Sequence, residues 1–143
     1  MRHNKTDIII NDEDSMHDFA KEMAKNATAG QIYYLHGTLG AGKSTFSRHF
    51  IRSLCGDDIE VPSPTFTLVQ TYDTPKNSIW HFDLYRLQDA EEIYEIGWEE
   101  ALERQAIMLI EWPDRLDYLR PSHGIDIHID ILDNNQRKIT VTP

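Results

Sequence analysis

The sequence predicts an α/β fold built on a mixed sheet, with a parallel centre and antiparallel edge strands. Three observations carry that expectation. Short apolar runs at 8–10, 31–36 and 106–110 read as strands. Segments with helical periodicity separate them. Near the end, Ile125, Ile127, Ile129 and Ile131 alternate with Asp126, His128 and Asp130. That is the period-two pattern of a strand with one dry and one wet face, and it points to antiparallel pairing at the sheet edge.

The elements follow in order. Residues 7–11 form a short strand around Ile8, Ile9 and Ile10. Residues 15–29 read as a helix, because Met16, Phe19, Ala20, Met23, Ala24 and Ala27 recur on one face. Ser15 with Asp18 makes a weak capping box, and Gly30 is the expected stop. Residues 31–36 are a buried strand. A second helix runs over 43–55, with Phe46, Phe50, Ile51 and Leu54 inward and Gly56 closing it. Residues 65–73 and 78–85 are two strands joined by the turn Thr74-Pro75-Lys76-Asn77. Asp89 begins another helix, with Glu92 as capping partner and a break at Gly97. The strand at 106–110 ends at Glu111-Trp112-Pro113. Residues 138–142 pair back on the alternating strand through Asp133-Asn134-Asn135.

A chain of 143 residues is the size of one domain, expected here to span 1–143. Such a length buries enough surface to need no disulfide, and the single cysteine, Cys55, allows none within the chain. That fits a reducing, cytoplasmic setting. The N-terminal apolar run is too short for a secretion signal, and no stretch approaches a membrane span. The net charge of −10, without a cluster of Lys or Arg, argues against strong autonomous nucleic-acid binding.

Between the strand at 31–36 and the helix at 43–55 lies Gly37-Thr38-Leu39-Gly40-Ala41-Gly42-Lys43-Ser44, followed by Thr45. It meets the pattern G-x-x-x-x-G-K-[ST] in full. Glycines let successive amides turn toward a phosphate, and a helix N-terminus aims its positive end there. A lysine at this position reaches the β- and γ-phosphates, and the following hydroxyl ligates Mg²⁺. By composition such a match arises in roughly one chain of this length in two hundred. Its place between strand and helix is the setting the mechanism demands. The segment therefore reads as a P-loop for ATP and Mg²⁺, which makes the chain a P-loop nucleotide-binding domain.

A P-loop site needs an acid at a neighbouring strand end. Two apolar runs end that way, one in Asp83 and one in Glu111. Either can bind the metal, and one can position or deprotonate the attacking water; the residues alone leave the division open. Taken singly, each could merely cap a loop. The loop Val61-Pro62-Ser63-Pro64-Thr65-Phe66 is stiffened by its prolines, and its chain position is that of a nucleotide switch or a plain rigid connection. Asn4-Lys5-Thr6-Asp7 spells the guanine-reading pattern N-K-x-D, but it lies upstream of the P-loop and reads as chance. The seven histidines have no metal-type spacing, and His81 reads as a structural histidine. The run from Asp89 to Glu103 holds seven acids and no base, a solvated face or a dock for a basic partner.

Four motifs in order carry a resemblance. The P-loop, then Ser63-Pro64-Thr65-Phe66, then His81-Phe82-Asp83-Leu84-Tyr85-Arg86-Leu87, then Glu111-Trp112-Pro113 look like the bacterial TsaE (YjeE) family. That family supplies the ATPase partner in making threonylcarbamoyladenosine in tRNA. The resemblance covers roughly residues 31–119. It implies that Lys43 and Ser44 hold phosphate and Mg²⁺, and that Asp83 joins the metal shell. It further implies that Thr65 sits in a switch-like loop, that Glu111 supports hydrolysis, and that Trp112 lies beside the nucleotide. The implied partners are the TsaD and TsaB proteins. Ser44 departs from the family's more frequent Thr but keeps the hydroxyl. The residues alone also allow a small-molecule kinase or a nucleotide-operated switch.

Overall fold

The computed structural model describes residues 5–38 and 40–143. Seven strands form one sheet: β1 (Thr6–Ile10), β2 (Ile32–His36), β3 (Val69–Asp73), β4 (Ser78–Asp83), β5 (Ile107–Glu111), β6 (Ile125–Ile131) and β7 (Arg137–Thr142). Their order is β1-β7-β6-β2-β5-β4-β3. The run β6-β2-β5-β4 is parallel, and β1-β7, β7-β6 and β4-β3 are antiparallel. The predicted mixed sheet with a parallel centre is thus present.

Alternation along the central strands sorts the core into two layers. Tyr33 and Leu35 of β2, Ile79 of β4, and Ile107 and Leu109 of β5 pack with α1 (Glu13–Lys25) and α2 (Lys43–Cys55). Ile32 and Tyr34, Trp80 and Phe82, and Met108 and Ile110 face the other way. There they meet the 3₁₀ turns Ala90–Ile96 and Pro113–Leu119 and the short helix α3 (Trp98–Glu103). That second layer covers β2, β5 and β4 only. Next to it β6 keeps Asp126 half-buried and His128 and Asp130 exposed, which explains its alternation. The strand is nevertheless interior to the sheet, because β7 and β1 lie outside it.

Several boundaries differ from the sequence reading, each for a local reason. Asp12, not Ser15, caps α1: its carboxylate accepts from the Ser15 amide and hydroxyl at 2.8 Å. The helix ends at Lys25 rather than 29, capped by Asn26. Gly30 does not stop it; its amide donates to Gln105 O at 2.7 Å. Residues 65–68 are a turn rather than strand, closed by Leu68 N donating to Pro64 O at 2.7 Å. Strand β4 stops at Asp83 because Asp83 Oδ1 accepts the Tyr85 amide at 3.0 Å. The expected helix from Asp89 is a 3₁₀ turn, and Glu92 accepts from the Gln88 amide instead of capping at Asp89. The helix at 43–55 with Gly56 after it is as expected. Among the described residues, no helix is long and apolar enough to cross a membrane.

Candidate functional site

Register brings the two strand-end acids together. In the parallel pair β4–β5, Asp83 and Glu111 are direct partners at the carboxyl ends. By parity both lie on the face of Ile79, Ile107 and Leu109, the face that carries α2. Strand β2, beside β5, leads straight into the P-loop. Three adjacent parallel strands therefore deliver the P-loop and both acids to one edge, where open α/β sheets collect ligands.

The loop itself needs its glycines. A Cβ on Gly37 would come within 2.8 Å of Ile129 O, so only glycine lets the chain pass β6 this closely. Gly42 precedes α2 at φ 119°, a left-handed conformation that side chains rarely adopt. Ala41 is fully buried and its amide donates to Thr38 O at 3.1 Å. Leu39 lies outside the described residues, as does Asn4 of the N-K-x-D segment, whose Thr6 and Asp7 belong to β1. Arg137 of β7 braces the loop, donating from Nε to Ala41 O at 2.9 Å and from a terminal nitrogen to Gly40 O at 3.4 Å.

Below the loop, Lys43, Asp83 and Glu111 are buried, at 5%, 5% and 3% exposure. Lys43 Nζ donates to Gly37 O at 2.6 Å and lies 3.8 Å from the centre of the Trp112 ring. Burial holds the Lys43 ammonium pKa below the ordinary lysine value, and the Glu111 and Asp83 carboxylates work against that. Asp83 Oδ2 accepts from the Thr65 hydroxyl at 3.2 Å, and Thr65 Oγ1 is 2.8 Å from Ser63 Oγ. The loop at 61–66 is thereby tied to an acid of the site. Glu111 Oε2 is 2.7 Å from His81 Nε2.

Two backbone strains flank the acids. Leu68, whose carbonyl accepts the Asp83 amide, has φ 70°, and Trp112, directly after Glu111, has φ 58°. Left-handed geometry at a leucine and a tryptophan costs about 1–3 kcal/mol each and gathers at functional sites.

A cleft of about 200 Å³ joins Gly40, Gly42, Lys43, Ser44, Thr45, Thr65, Asp83, Glu111 and Trp112. Beyond the P-loop a second cleft, about 220 Å³, shares Gly40, Gly42 and Thr45 and adds Ala41, Asp12, Met16, Asn135 and Arg137. Of the residues expected at the site, Gly37 and Thr38 line neither cleft; Gly37 instead holds Lys43 through its carbonyl. Arg86, next to the cleft in sequence, is exposed and stacks on the Phe66 ring at 4.4 Å.

Sequence reading took His81 as a structural histidine without its Glu111 partner, and it passed over Arg137. Their partners are 30 and 96 positions away, so no local pattern could expose them. It also found no metal-type histidine spacing, yet β2 and β6 bring His36, Asp126 and His128 together. There Asp126 is engaged by Arg120 at 2.8 and 2.9 Å and by His36 at 2.7 Å. The His36 and His128 rings stack at 4.2 Å within 10° of parallel, so their in-plane lone pairs do not converge on one point.

Comparison with known proteins gives the family and the fold. The family model for "Threonylcarbamoyl adenosine biosynthesis protein TsaE" matches residues 10–139. A "tRNA threonylcarbamoyladenosine biosynthesis protein TsaE" from Rickettsia bellii is 42% identical, covering 94% of this chain and 92% of the relative. Proteins of the same description are 38% identical in Haemophilus influenzae, over 87% and 82% of the two chains, and 35% in Bacillus subtilis, over 86% and 76%. The crystal structure of Bacillus subtilis YdiB superposes with a TM-score of 0.80 at 25% identity, covering 99% of this chain and 87% of that one. With the P-loop, the two strand-end acids and the sheet order in place, the chain belongs to the TsaE family and has its P-loop NTPase fold.

Proposed function

We propose that this protein is a Mg²⁺-dependent ATPase that supports the threonylcarbamoyl transfer complex acting on adenosine in tRNA. The observation that carries the reading is the convergence of Lys43, Ser44, Asp83 and Glu111 on one cleft under a complete P-loop. The family's part in tRNA threonylcarbamoyladenosine biosynthesis supplies the biological setting.

The donor set suits the ligand. A hydroxyl and two carboxylates are hard oxygen ligands of the kind Mg²⁺ takes. Mg²⁺, when bound, neutralises charge on the β- and γ-phosphate oxygens. Lys43 adds a point charge, and its burial strengthens that charge's field by keeping water away. Ser44 and Asp83 are the metal-side groups. Glu111 orients the water that attacks the γ-phosphorus, so that the γ-phosphoryl leaves as inorganic phosphate and ADP remains. Thr65 links the loop at 61–66 to Asp83 and lets that loop respond to what the metal shell holds. The second cleft, sharing three residues with the first, offers space for ribose and base.

TsaD and TsaB are the partners in this reading. A tRNA modification assay containing both proteins, ATP and substrate tests it. Modification should need this chain and fail with Lys43→Ala. Equal modification without the chain would refute the proposal.

A further inference from the structure

One buried group has no part in that scheme. His81 is 1% exposed and stands on β4 between Ile79 and Asp83, on the face of the cleft. Its register partner on β5 is Leu109, so the ring reaches forward along β5 to put Nε2 2.7 Å from Glu111 Oε2. The other ring nitrogen, Nδ1, is buried with no hydrogen-bond partner among the described residues.

That orphan decides where the proton sits. If Nε2–H donates to an ionised Glu111, Nδ1 keeps only an unused lone pair. If a protonated Glu111 donates to Nε2, the proton on Nδ1 becomes a buried donor with nothing to bind. An imidazolium leaves the same orphan donor. A buried donor left without a partner is costly, and an unused acceptor is the defect folded proteins tolerate more often. The first arrangement also makes the short contact charge-assisted.

We infer that His81 is a positioning residue for Glu111: its Nε2–H holds Oε2 and leaves Oε1 as the carboxylate oxygen turned to the cleft. The inference rests on the reading of Glu111 as the group that orients water. A glutamate at a strand end has three side-chain torsions to fix, and one charge-assisted bond from a buried ring removes most of that freedom.

The test combines kinetics with ring spectroscopy. His81→Leu removes the donor; His81→Gln keeps an amide N–H near the position of Nε2. With partner proteins present, His81→Leu should lower ATP turnover about tenfold or more, with KM for ATP within about twofold. His81→Gln should recover most of the loss. In a Glu111→Gln background, His81→Leu should cost nothing further. Independently of turnover, ring ¹⁵N shifts of the wild-type protein should show Nε2 protonated and Nδ1 bare. An Nδ1–H tautomer or an imidazolium overturns the inference, and so does full turnover in His81→Leu. Equal losses in both variants with unchanged melting temperature, or an additive loss in the Glu111→Gln background, overturn it too. Should His81→Leu not fold, His81→Gln and the wild-type ring spectrum decide. If the wild-type protein with its partners hydrolyses no ATP, the ATPase reading falls, while the tautomer still decides whether His81 holds Glu111 in this way.

Discussion

Two charged clusters occupy opposite faces of one sheet, and they differ in burial. On the α2 face, Lys43, His81, Asp83 and Glu111 are each at most 5% exposed. On the other face, the side chains of His36, Asp126 and Arg120 are 18%, 24% and 35% exposed. The second cluster is an ion-pair network at the rim of the core, where water softens both cost and gain. The first places three ionisable side chains and a buried histidine where desolvation costs several kcal/mol per ion. Hydrophobic residues there would serve folding at least as well. A cluster that expensive, next to two strained residues and a P-loop, marks function rather than stability.

The largest loss is expected at Lys43. Lys43→Ala should lower ATP hydrolysis by about 10²-fold or more and weaken ATP binding. Unchanged affinity and turnover would strip the buried cluster of its role. Next come the two acids, which are register partners but have different neighbours. Glu111→Gln should lower turnover about 10²-fold with ATP still bound. Asp83→Asn should raise the Mg²⁺ concentration for half-maximal turnover about tenfold. A magnesium titration of both variants checks the assignment, and an unchanged midpoint in Asp83→Asn would reverse it.

A smaller loss is expected at the surface that would meet a partner. Arg86 stacks on Phe66, Arg137 braces the P-loop carbonyls and Arg115 donates to Leu87 O, so these three arginines are engaged by the protein itself. A charge supplied by a partner raises such rates by about 10³–10⁵, so the chain alone should be slow. Replacing Glu91, Glu92 and Glu95 by Lys should cut stimulation several-fold at low salt, about as expected for exposed charges that steer docking. No change would leave the acidic run as a solvated surface.

The smallest effect on chemistry belongs to the exposed cluster. Burial pushes the Asp126 carboxyl up, but hydrogen bonds from Arg120 and His36 outweigh it and hold the pKa below the ordinary value of 3.8. A lowered carboxylate stabilises the fold above the unfolded value and loses that contribution as pH falls through the folded one. Asp126→Asn should therefore cost about 1–2 kcal/mol at neutral pH. The gap to wild type should close in acid, and ATP turnover should stay within about twofold. Denaturant melts at several pH values measure it.

What the sequence made legible follows the same division between local and distant. Helix α2 emerged residue for residue because a glycine-rich loop leads into it, an apolar stripe runs along it and Gly56 follows it. Strand β5 and its terminal Glu111 stood out as an apolar run ending in an acid. The α1 cap went to Ser15 because Asp12 lies outside the apolar stripe. Residues 65–68 looked like strand, yet Leu68 takes a left-handed conformation that its side chain gives no hint of. The pairings His81–Glu111, Arg137–Ala41 and His36–Asp126 depend on sheet order, which joins segments 30 to 96 positions apart.

The most direct test compares three proteins in one assay: wild type, Lys43→Ala and Asp126→Asn, each with ATP, Mg²⁺, TsaD and TsaB. Steady-state phosphate release should be magnesium-dependent and nearly equal in wild type and Asp126→Asn, and it should fall by about 10²-fold in Lys43→Ala. Equal rates in all three, or a loss in Asp126→Asn as large as that in Lys43→Ala, would contradict the assignment of the buried cluster as the ATP site.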